Sequence, residues 1–197
     1  IRTSNPPVIN GDLSDAAWTE GEWSGGFWQY EPVEGGPAGQ QTEFKLLYDD
    51  SNIYIAIKCF DSDPDSIVSR MTRRDDVDGD QVTVAIDSYF DQRTAFGFTV
   101  SSAGVKGDMI WTDDGRNQDE SFDPIWYVKT GISDWGWAAE MRIPLTQLRF
   151  AEKSEQLWGL EVYRNIYRSN ETVMWQPIAR NAPGMVRYAG LIKGLIN

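Results

Sequence analysis

The chain has no histidine, a single cysteine and a shortage of basic residues, with 18 Lys and Arg against 30 Asp and Glu. Each shortage excludes something. Without histidine there is no Ser/His or Cys/His triad and no histidine-ligated zinc or haem. Cys59 stands alone in an apolar alternating run, so no intramolecular disulfide forms, and a lone cysteine does not identify a redox compartment. A formal charge of -12 argues against nucleic acid and anionic membrane surfaces, both of which demand a basic footprint. No apolar run reaches the ~18 residues that cross a bilayer. The chain opens "IRTSNPPV", with no initiator Met or secretory signal, and stops at "AGLIKGLIN". Residues 1–197 are therefore expected to be one domain excised from a longer protein.

What is abundant is aromatic and turn-forming. Nine tryptophans and 18 glycines stand among 197 residues. The dominant period is two. Phe44, Leu46 and Tyr48 alternate along one segment, and Ile53, Ile55, Ile57 and Cys59 along the next, with Asp49-Asp50-Ser51-Asn52 as the turn between them. Val82, Val84 and Ile86 repeat the pattern, as do Phe96, Phe98 and Val100. "SSAG" then turns the chain into Val105 to Trp111. Further strands are expected at Trp126 to Ile132, Trp137 to Ile143, about Leu157 to Tyr167 and Val186 to Ile192. Pro144 opens the one convincing helical turn, "PLTQL". The pattern predicts an all-β protein: a two-sheet antiparallel sandwich of jelly-roll type, with about nine to eleven strands and one or two short helical turns.

Near the N-terminus, Asn10-Gly11-Asp12 is a strong turn signal. Ser14 to Trp18 forms a capped turn that folds the indole back onto a core. Three long loops interrupt the strands: 29–41, 61–80 and 112–124. Long loops on a rigid sandwich are the usual carriers of binding residues.

The succession "PPVINGDLSDAAW", "LLYDDSNIYIAIKCFD", "DGDQVTVAID" and "WGWAAEMRIPLTQL" resembles the family 9 carbohydrate-binding modules, sandwiches related to DOMON domains. The resemblance covers essentially the whole chain. It implies a non-catalytic domain that binds a polysaccharide or oligosaccharide outside the cytoplasm: periplasmic, at the cell surface or secreted. It also implies a parent protein of one of two kinds, a xylan-degrading enzyme or a large Bacteroidetes envelope protein, with a module attached C-terminally. Trp18 becomes the family's N-terminal cap.

In sugar-binding members of the family, two tryptophans sandwich a terminal sugar. The first position falls here close to Val77 and the second in "ARNAPGMVRY", where Tyr188 is the only aromatic. The clamp is missing at both. Trp111, Trp126 and Trp175 stand at strand ends beside polar loops and are the expected replacement platforms, with Arg116 and Asn117 as hydrogen-bonding neighbours. Trp23 and Trp28 are ambiguous, and Trp18, Trp137 and Trp158 belong to the core. The alternative is a structural or protein-interaction domain that keeps the fold and has lost the sugar.

Asp61, Asp63, Asp78 and Asp80 supply closely spaced loop carboxylates suited to a structural calcium, against the alternative of a solvated acidic face paired with local arginines. Glycoside hydrolysis needs two carboxylates about 5 to 9 Å apart across a cleft. The acids of the 112–124 loop read instead as solvent-facing. Haem is rejected, because no histidine exists and the methionines read as core filler.

Overall fold

A computed structural model describes residues 1–196, and among these the only helical structure is short 3-10 turns. Twelve strands form two antiparallel sheets. The larger sheet comprises β1 (Trp28–Glu31), β11 (Glu171–Met174), β10 (Glu155–Ile166), β4 (Gln81–Asp87), β5 (Ala95–Ser101), β6 (Lys106–Thr112) and β7 (Asn117–Asp119), in that spatial order. β12 (Gly190–Ile196) joins it beside β10. The smaller sheet runs β2 (Thr42–Tyr48), β3 (Asn52–Phe60), β9 (Gly136–Pro144), β8 (Tyr127–Ser133). The long β10 pairs with β4 on one side, while its other side is shared by β12 and β11.

The two-residue alternation becomes the core. Ile53, Ile55, Ile57 and Cys59 face Val82, Val84, Ile86, Phe96, Phe98 and Val100, and Trp137 and Trp158 fill the space between the sheets. Burial of each such side chain stabilises the fold by about 1.5–3 kcal/mol. Cys59 is sealed here, and burial pushes its thiol up to about 12, so it is inert filler.

The structure has more strands than the sequence pattern gives. β1, β7 and β11 are the additions, each of three or four residues and too brief for a visible alternation. Val186 to Tyr188 form a 3-10 turn, and the last strand begins only at Gly190. The turn after β9 spans Leu145–Gln147, with Pro144 as its cap.

The N-terminal segment answers the smaller sheet. The Asp15 side chain caps the 3-10 turn Ala16–Thr19 by accepting from Ala17 N–H. Trp18 then packs on Leu47, Tyr54 and Ala56, on the face of the smaller sheet that points away from the core. Gly11, at φ +91°, lies so close to the Thr130 backbone that a Cβ would meet it at 2.8 Å. Lys45 is buried beneath this cap and donates to the Trp18 and Gly21 carbonyls. Trp18 and its neighbours thus cover part of the smaller sheet's outer face.

Candidate functional site

Register defines the outer face of the larger sheet. One row crosses it as Trp28, Met174, Tyr163, Thr83, Thr99 and Gly107. A flanking row holds Thr172, Asn165, Gln81 and Ser101, and the other holds Glu161, Ala85, Gly97 and Met109. Between Gln81 and Asp87 on β4, and along β5, this face carries only small side chains. Larger groups rise on both sides: Tyr163 and Trp28 on one, Val77, Met109 and Trp111 on the other. The result is a narrow trough whose small floor residues, Thr83, Ala85 and Thr99, are themselves buried between its aromatic flanks and which opens at its two ends.

The floor dictates where Trp111 lies. Its six-membered ring sits directly on Gly97, where a Cβ would approach it to 2.4 Å. The indole is half-buried, with its centroid 6.4 Å from the Tyr163 ring. At this end, Met185, Val186 and Ala189 of the incoming loop close a narrow, largely apolar pocket of about 20 Å³. Asp87 lines the pocket as a buried acid, and so does Glu161. Its Oε1 accepts from the backbone N–H groups of Val162 and Gln176, while Oε2 has no partner. Burial, opposed by backbone hydrogen bonds, pushes the carboxyl up to about 8. Asp87 beside it is raised for the same reason.

The other end of the trough is polar. A hollow of about 260 Å³ is lined by Gln81, Asn165, Thr172, Glu31, Asp78 and the exposed Tyr167, among others. The Gln81 carbonyl oxygen is buried and unpartnered there. Arg70 stacks 4.7 Å from the Tyr167 ring centre and also receives its support from Asp78 at 2.6 Å. Hydroxyl-seeking groups and one free aromatic face therefore share a single hollow.

The expected sugar platforms are not brought together. Trp111 is on the outer face, as described. Trp126 is 1 % exposed, packed on Phe98, and its Nε1–H donates to Asp108 at 3.0 Å. It therefore offers no ring face to a ligand, because β8 begins one residue later and turns it inward. Trp175 is half-buried against Phe44, edge to face at 5.0 Å, and lies over Gly190 on the core side. Arg116 and Asn117 are exposed near Trp111, and Arg116 donates to the Pro183 carbonyl and sits 3.6 Å from Asp113. Trp18, Trp137 and Trp158 are buried, as their contexts indicate. Trp28 is 46 % exposed, the most open indole among the described residues. Tyr163 escapes a sequence reading because it alternates as a core residue does, and Trp28 stays ambiguous there because β1 is too short to show its register.

The four candidate calcium ligands are engaged otherwise. Asp61 is held by both guanidinium nitrogens of Arg168, at 2.7 and 2.8 Å, with Arg164 at 3.8 Å. Burial works to raise its carboxyl, but the bonds from Arg168 and Asp63 N–H, with the two arginine charges, leave it below the usual range. Asp63 accepts from the Ser66 hydroxyl, and Asp78 pairs with Arg70. Asp80 accepts from Val68 N–H and is raised by burial. Among the described residues no group of three or more His, Cys, Asp or Glu is arranged around a common ion position. Arginines pair with Asp61 and Asp78 of this acidic loop.

A family model for carbohydrate family 9 binding domain-like proteins matches residues 9–189, and the chain belongs to that family. Solved structures agree on the fold. A family 9 carbohydrate-binding module from Caldicellulosiruptor kristjanssonii, solved with glucose, is 21 % identical with a TM-score of 0.70, covering 98 % of this chain and 94 % of its own. The cellotriose complex of a module from the same organism gives 0.68 at 21 % identity, covering 96 % and 89 %. A candidate carbohydrate-binding protein from Bacteroides uniformis ATCC 8492 gives 0.73 at 12 % identity, covering 98 % and 95 %. No curated protein matches the chain.

Proposed function

We propose that this chain is a non-catalytic carbohydrate-binding domain whose glycan lies along the outer trough of the larger sheet. The observation that carries the reading is the trough itself: a floor of small side chains flanked by Tyr163, Trp111 and Trp28, with Gln81, Asn165 and Thr172 at its polar end. Sugar rings present apolar C–H faces to aromatic groups and hydroxyls to amides and carboxylates, so a mixed surface of this kind suits them. The glucose and cellotriose complexes of the two solved modules support the same ligand class.

Trp111 is the stacking group in this proposal, with Arg116 and Asn117 beside it. Such a single site binds weakly, and its value lies in raising the local concentration of an attached module at the glycan. A polysaccharide partner places the parent protein outside the cytoplasm. One observation favours the rival reading of a fold retained for structure or protein contact: Val77, over Gly107, occupies the rim where the family's first tryptophan falls.

Affinity electrophoresis on xylan, glucan and pectin, followed by calorimetry with oligosaccharides, separates the two. Binding that is lost in Trp111→Ala and in the surface double variant Gln81→Ala/Asn165→Ala supports the trough. No retardation on any glycan leaves the structural reading.

A further inference from the structure

A second groove, of about 730 Å³, lies on the opposite sheet, where the N-terminal Pro6 and Pro7 approach the edge strand β8. Ligand sites run roughly 300–1,000 Å³, so it has room for more than one sugar ring. Its chemistry is unlike the rest of the molecule. Lys106, Lys129 and Arg142 all line it, in a protein whose formal charge is -12.

Most arginines in this chain pair with a carboxylate within ion-pair distance; Arg142 and Lys129 do not, among the described residues. Glu140 is the cross-strand neighbour of Lys129. Its two oxygens are taken by Trp18 Nε1–H and by the N–H groups of Asn10 and Gly11. Asp49, near Tyr54 at the groove wall, accepts from Tyr54, Ser51 and Asn52. The Arg142 guanidinium stacks 4.1 Å from the centre of the Tyr127 ring, which holds it in place, and its Nε–H is buried without an acceptor. Lys106 donates to the Trp126 carbonyl and shares the field of Asp108, Asp123 and Asp75. The uncompensated charge is therefore at Arg142 and Lys129, beside a tyrosine ring that is 47 % exposed.

We propose that this groove binds a carboxylated glycan, a uronic acid residue whose ring rests by Tyr127 and whose carboxylate reaches Arg142 and Lys129. A negatively charged protein repels anions at long range, so a carboxylate is retained only where unpaired cations meet it at short range. The choice of a sugar over an acidic peptide rests on the carbohydrate-binding reading above and on the open aromatic face between the cations. The two sites lie on different sheets and are separable by mutation.

The test is calorimetry with trigalacturonate, cellotriose and a glutamate peptide of matching charge. Trigalacturonate is expected to bind, and to bind more weakly as salt rises from about 50 to about 300 mM. Arg142→Gln and Lys129→Gln are each expected to weaken it about tenfold, as loss of a charge-assisted contact does. Cellotriose binding stays unchanged in both. Lys129 is exposed on an edge strand, so its variant carries the test even if Arg142→Gln unfolds. Absence of trigalacturonate binding, equal binding of the glutamate peptide, or an unchanged affinity in Lys129→Gln overturns the proposal. Loss of cellotriose binding with trigalacturonate retained overturns only the trough reading.

Discussion

The indole N–H of Trp18 donates to Glu140 across 2.7 Å, joining residues 122 positions apart. The second Glu140 oxygen accepts from Asn10 and Gly11, at 2.7 and 2.5 Å. One buried carboxylate therefore fixes both the N-terminal turn and the indole that follows it, and the charge of Glu140 is used for structure. Glu140→Ala leaves two buried donors and one part-buried donor without acceptors and is expected to cost on the order of 3 kcal/mol. Trp18→Phe removes a single donor and leaves the ring, so a loss of about 1 kcal/mol is expected. Urea denaturation measures both, and hydrogen exchange over residues 9–20 should rise in Glu140→Ala.

Glu161 sets an alkaline limit on stability. Its folded value of about 8 lies above the ordinary 4.5, so the folded state holds a proton that the unfolded chain has released between those values. Stability is full below the unfolded value and falls by about 1.4 kcal/mol per pH unit as pH rises through the window. Glu161→Gln imitates the protonated acid. Its stability is expected to match the wild type near about pH 5 and to exceed it near about pH 9. Equal pH profiles for the two proteins would contradict this account of Glu161.

The buried pair works in the opposite sense. Asp61 titrates below its usual range in the fold, so the stability it contributes is present above the unfolded value and is lost as pH falls through the folded one. Arg164, fully buried, donates to the carbonyls of Gln41 and Phe60 and to the Thr42 hydroxyl, binding the end of β10 to β2 and β3. Asp61→Asn leaves the arginine charge uncompensated and is expected to cost about 3–5 kcal/mol near neutral pH and progressively less in acid. Thermal melting across that range reads the difference.

Gly97→Val tests the seating of Trp111. The new side chain occupies the space under the indole and lifts the ring from the floor. A loss of glycan affinity with a modest loss of stability is expected, about 1–3 kcal/mol for an overpacked contact. Unaltered affinity would remove Trp111 from the site.

The architecture was legible because half-buried strands print their alternation in the sequence, as Ile53 to Cys59 and Val82 to Ile86 do. The site was less so. Which face of a strand looks outward depends on the partner sheet, and Tyr163 alternates just like its core neighbours while standing on the outer face. Trp126 shows the converse: it sits at a strand end beside a polar loop, yet a single residue of offset turns it onto Phe98. Of the four loop aspartates, Asp78 pairs with Arg70 only eight residues away, whereas the arginine that holds Asp61 could not be read from the sequence, Arg168 lying 107 residues from it.

The central claim is that a glycan rests on the outer trough of the larger sheet. Backbone amide shifts during a cellotriose titration test it most directly. The account predicts a contiguous set of perturbations over Gln81, Thr83, Gly97, Thr99 and Tyr163, together with the Trp111 indole N–H. Perturbations confined to the smaller sheet, or none at saturating sugar, would contradict it.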